Sequence, residues 1–160
     1  MKSSLVKPAA ALFAVAAVLA AAAGPATAAG ADGADRIASA NLKGKFEVPP
    51  PGDPDGKGQF SAVITTTQLC YSLSARKIGG ATAAHIHLGD PTVAGPIVVT
   101  LITPNRDGVS DCIVPVPDAD DDTTTLSESE LDAIRDALEL YYINVHSAEF
   151  PAGAVRGQLS

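Results

Sequence analysis

From residue 36 onward, apolar and polar residues alternate with period two in short runs cut by turn residues. "RIASANLKGKFEV" alternates loosely and stops at Pro49-Pro50-Pro51, which cannot continue a hydrogen-bonded ladder. "PGDPDGKG" is a turn-rich loop, and "GQFSAVITTT" and "LCYSLSA" follow as two more period-two runs. "IGGATAAHIHLG", "GPIVVTLIT" and "GVSDCIVPV" supply further strands, the second β-branched and opened by Gly95-Pro96. One segment departs from the pattern. In "SESELDAIRDALEL", Ser127 stands as an N-cap with Glu130 three places on, and Leu131, Ile134 and Leu138 recur at helical spacing, which predicts a helix of about three turns. "YYINVH" then returns to period two, with Tyr141, Ile143 and Val145 on one face and Tyr142, Asn144 and His146 on the other. "GAVRGQLS" closes the chain as a strand broken by Gly157. Seven or eight short strands with one short inserted helix predict an all-β fold, a single β-sandwich.

The residues before this pattern have another character. Lys2 and Lys7 precede an apolar run from Ala9 to about Ala23, and Ala26-Thr27-Ala28 follows, the form of a secretory signal peptide cleaved after Ala28. The run is too short and too alanine-rich for a comfortable membrane span, and no later apolar run is long enough for one. Residues 1–28 are therefore expected to be a signal peptide and 29–36 a linker, leaving one domain over 37–160 and a secreted, extracellular protein. Without Lys2 and Lys7, nine basic residues face 18 acidic ones, a formal charge of −9. That balance argues against nucleic acid and anionic membranes as partners.

In an oxidising compartment the pair Cys70 and Cys112 reads as a disulfide, since neither lies in a C-x-x-C nor beside a histidine. The three histidines carry the remaining chemistry. His85 and His87 in "AAHIHLGD" share one face of a strand, with Ala84, Ile86 and Leu88 on the other. His146 lies far away in sequence, so a metal site requires the fold to bring it to the pair. Neutral imidazoles suit copper and zinc, and Asp90 or Glu149 could add an oxygen ligand. The plainer reading is a polar layer of His85, His87, Asn144 and His146 hydrogen-bonded across the sheet. "DADDD" lacks the Gly and distal Glu of an EF-hand and reads as a solvated loop. There is no nucleophile elbow, no phosphate-binding glycine loop and no exposed aromatic series for sugar stacking.

"LKGKFEVPPPGDPDGKGQF", "AAHIHLGDPTVAGPIVVTL" and "LYYINVHSAEFPAGAVRGQL" together resemble, in order and spacing, the three signature blocks of the chordin (CHRD) domain, from about Ile37 to Leu159. The resemblance implies a secreted all-β domain of a kind found in exported bacterial proteins, and no particular activity. Where the last block of the family often has an acidic residue, this chain has Ala154. Arg156 could bind an anion, but the plainer expectation is an inter-strand ion pair with Glu47 of the first block. The growth-factor partner of chordin itself does not carry over to a single domain of this kind.

"HIHLGD" also resembles the copper-binding H-x-H of copper/zinc superoxide dismutases, which are β-sandwiches, as immunoglobulin-like domains are. Three histidines cannot assemble a full dismutase site. The expectation is a non-catalytic extracellular binding or structural module with an unknown cell-surface partner and a candidate copper or zinc site on His85, His87 and His146, supported by Asn144. The rival is a small metalloenzyme with a dismutase-like sandwich.

Overall fold

The structure is a computed structural model that describes residues 33–160, so the expected signal peptide over residues 1–28 lies outside the described residues. Strands β1 (Arg36–Lys43), β2 (Lys57–Ile64) and β3 (Leu69–Arg76) keep the alternation that their sequences predict. Leu42, Phe60, Ile64 and Leu73 point to the core, and the intervening Asn41, Gln59, Ser61 and Ser72 point to solvent. β4 (Ala81–Leu88), β5 (Ile97–Leu101) and β6 (Val109–Ile113) follow, then helix α1 (Glu128–Asp136), β7 (Tyr141–Ser147) and β8 (Val155–Gln158).

Every strand pair is antiparallel, in the order β5-β4-β7-β8-β1-β2-β3-β6. The all-β class holds, but the ladder is one curled sheet where a sandwich expects two separately bonded ones. The link is the β8–β1 junction, where the rung Lys43↔Arg156 is joined by reciprocal backbone bonds between Ser39 and Ser160 of 2.9 and 3.0 Å. Gly157 lies inside β8 and does not break it: a Cβ there would stand 2.6 Å from the Asn41 carbonyl oxygen, so glycine lets β8 close on β1. One cluster of buried side chains forms the core, drawing on seven of the strands and α1, and the partly buried Val109 and Ile113 of β6 pack against it.

The capping box forms as predicted. Ser127 Oγ accepts from the Glu130 amide at 3.2 Å and Glu130 Oε2 accepts from the Ser127 amide at 3.1 Å. α1 is shorter than expected, because Ala137 adopts φ −144° and a 3₁₀ turn over Leu138–Leu140 carries Leu138 into the core and the chain into β7. Cys70 and Cys112 face each other across β3 and β6 and are disulfide-bonded. No helix among the described residues is long and apolar enough to cross a membrane.

Most strands bury one face, but β7 is buried on both. Its inner side chains Ile143 and Val145 join the core. Its outer side carries Tyr142 and Asn144, which the Gly89–Pro96 loop and the Glu47 segment contact. That covered polar layer holds the candidate site.

Candidate metal centre

β4 and β7 are neighbours, with His85 opposite Asn144 and Ala83 opposite His146. Directly opposed residues share a face, so His85, His87 and His146 all project outward while Ala84 and Ile86 are fully buried beneath them. His85 Nδ1 lies 3.1 Å from His146 Nε2, and one ring nitrogen from each of the three histidines lies within 4.8 Å of the others. For comparison, tetrahedral nitrogen ligands at 2.0–2.1 Å from zinc stand about 3.3 Å apart. Neither Asp90 nor Glu149 belongs to this group; the Asp90 carboxylate is turned to Thr92 in its own loop.

Two backbone carbonyls select the tautomers. His87 Nδ1 is 2.9 Å from Gly95 O and His146 Nδ1 is 3.0 Å from Pro151 O. A carbonyl only accepts, so each Nδ1 carries the proton and each Nε2 presents a lone pair. His85 Nδ1 then donates to His146 Nε2. Among the described residues, His87 Nε2 is buried with no partner, and so is Asn144 Oδ1 in the same layer. Unpaired buried polar atoms are costly, and a cation would satisfy the imidazole one. Burial, then the neighbouring His146 and His87, holds His85 down at about 4. Burial also lowers His87, against the Gly95 bond, which raises it. Both rings are therefore neutral at neutral pH, the state that ligates.

Asn144, expected to support the histidines, makes its side-chain bonds elsewhere. Asn144 Nδ2 donates to both carboxylate oxygens of Glu47, at 3.0 and 2.9 Å, and the carbonyls of Gly95 and Pro151 orient His87 and His146. The expected Glu47–Arg156 ion pair is likewise replaced. Arg156, 1% exposed, donates Nη1 to Val93 O at 2.8 Å and Nη2 to Asp90 O at 2.7 Å, and its guanidinium lies 3.4 Å from the Tyr142 ring centroid. Five donors in a planar fork suit two carbonyls and a ring face together, where one carboxylate would use fewer of them.

Sequence reasoning missed Tyr142, whose ring stacks on His87 at 4.7 Å and whose hydroxyl accepts from the Gly95 amide at 3.1 Å. It also missed Gly95, where a Cβ would overlap the Leu88 carbonyl oxygen. The available signal was Gly95-Pro96 closing a loop that starts at the histidine strand. Gly153, at φ +143°, leaves the room that Glu47 and Asn144 need to pair.

No curated protein and no solved structure matches the chain. The three blocks that run through this site (the Glu47 segment, the histidine strand with its loop, and β7–β8) fall inside the match of the CHRD domain family model, which spans residues 38–159, and the chain belongs to that family.

Proposed function

We propose that the protein is a non-catalytic binding module that works outside the cell and holds one copper or zinc ion on His85, His87 and His146. The observation that carries this reading is the set of three converging imidazoles, two of them oriented by carbonyls and one with a buried, unpartnered Nε2. The disulfide and the signal-like N-terminus support the extracellular setting. We read β5-β4-β7-β8 and β1-β2-β3-β6 as the two layers of a β-sandwich joined at the β8–β1 junction.

A second reading, a small metalloenzyme, rests on the coordination position that three protein ligands leave open. Elemental analysis of the purified protein with its disulfide formed, then titration of the stripped form with copper and zinc against a competing chelator, tests the site. The expected result is close to one equivalent of tightly held metal, with affinity reduced by at least about 100-fold in His87→Ala. Metal no higher than background in the wild type would return the histidines to a hydrogen-bonded polar layer. Redox activity of the loaded protein, lost in the same variant, would favour the enzyme.

A further inference from the structure

A second pattern, independent of the histidines, lies on the outer face of β1, β2 and β3. Register aligns the exposed side chains into transverse rows: Lys43, Lys57 and Arg76, then Asn41, Gln59 and Ser74, then Ser39, Ser61 and Ser72, which continues to Ser110 on β6. Like charges directly opposite one another across a sheet are destabilising, and here three cations are opposed in succession. Carboxylates are not scarce, since the chain has 18 acidic residues against 11 basic ones. Yet the ion pairs found among the described residues, Lys77–Asp55 and Arg135–Asp132, involve none of the three. Lys45 extends the basic end, its Nζ 5.1 Å from the centroid of the half-exposed Phe46 ring, with Lys43 Nζ 6.0 Å from the same centroid.

Strands lie about 4.8 Å apart, so the three opposed cations extend over about 10 Å. Beside them the amide and hydroxyl rows both donate and accept hydrogen bonds. A groove of about 650 Å³ runs along Asn41, Gln59, Ser61 and Ser72, with the Asp107 carboxylate also lining it, and a smaller one of about 280 Å³, with no acidic residue in its lining, lies between Lys43, Lys57 and Arg76. The complementary ligand is a chain with anionic groups along one edge and hydroxyls beside them. We propose that this face binds an acidic polysaccharide, its carboxylates on the Lys43–Lys57–Arg76 row and its hydroxyls on the adjoining amide and serine rows. A polyphosphate would satisfy the cations and leave the hydroxyl-binding rows idle.

Calorimetric titration of the disulfide-intact protein with polygalacturonate oligomers tests this, with dextran as a neutral glycan and polyphosphate as a charge-only chain. The expected result is saturable binding of polygalacturonate, about tenfold weaker at 200 mM than at 50 mM salt, and none of dextran. Lys57→Gln should weaken it by at least about tenfold and Gln59→Ala by a smaller factor, on the scale of one lost hydrogen bond. Because Lys57→Gln relieves a repulsion, its melting temperature should not fall, which separates lost binding from lost fold. Absence of polygalacturonate binding, or binding that neither substitution changes, would overturn the proposal. So would polyphosphate binding as tight as that of polygalacturonate with Gln59→Ala without effect.

Discussion

Glu47 shows what the polar layer costs at the level of one side chain. Burial raises its carboxyl to about 7, with the charge of Arg156 and the Asn144 bond opposing, whereas in the unfolded chain it titrates near 4.5. The folded protein therefore keeps a proton that the unfolded chain gives up. The stabilisation from that proton is complete below pH 4.5 and is lost as pH rises to about 7, an effect of about 3 kcal/mol for a carboxyl so fully buried. His85 runs the other way: held at about 4, its contribution is present above pH 6.5 and is lost as pH falls toward 4. Glu47→Gln should remove the alkaline loss and leave the acid one. In urea unfolding between pH 4.5 and 8, the wild type should lose about 3 kcal/mol relative to the variant as pH rises. A difference independent of pH would show that Glu47 is ionised in the fold throughout. That His85 and His87 share a face was legible from period two alone. The partners of Glu47 were not, because Asn144 stands 97 residues away and only the tertiary path through Gly153 brings them together.

At the level of the element, the Gly89–Pro96 loop is what turns a strand with two histidines into a preorganised site. Arg156 holds its carbonyls at Asp90 and Val93, Gln158 Nε2 bonds Gly89 O at 2.9 Å, and Tyr142 takes the Gly95 amide. Gly95 in turn presents the carbonyl that sets the His87 tautomer. Arg156→Lys keeps the charge but loses the fork and the stack on Tyr142, so the loop should loosen without unfolding of the sheet. The expected outcome is metal affinity about 10–100-fold lower, together with faster amide exchange confined to residues 89–96. Retained affinity with a loosened loop would mean that His87 needs no external orientation. The strands, the capping box and the alternation of β7 were legible because each is set by neighbours in sequence. Two features were misjudged for the opposite reason. Gly157 reads locally as a break but serves a close approach to Asn41, and the Arg156 guanidinium reads as a partner for Glu47 but is taken by a loop more than 60 residues earlier. The cationic row was visible as three residues, and only register makes it a row.

In the whole molecule, the histidine cluster and the disulfide lie in different halves of the sheet, the histidines on β4 and β7 and the cysteines on β3 and β6. Among the described residues the halves pair only at the β8–β1 junction, but Leu42 and Leu73 from one and Ile86 and Val145 from the other belong to one buried cluster. A shared core makes unfolding cooperative, so both devices should act on the stability of the whole chain while acting separately on each other. With the cysteines 42 residues apart, the chain-entropy account assigns the bridge about 4 kcal/mol. Metal at 100 times its dissociation constant adds about 2.7 kcal/mol, provided the unfolded chain binds none. Replacing Cys70 and Cys112 by serine should therefore lower stability by up to about 4 kcal/mol, while zinc raises the stability of variant and wild type by the same increment. Urea unfolding followed by circular dichroism, with and without zinc, measures all four corners of this cycle. Equal increments would show that β4 and β7 position the histidines unaided by the far edge of the sheet. An increment that vanishes in the serine variant would mean that the edge strand β6, held by its bridge to β3, is needed to assemble a site it does not touch.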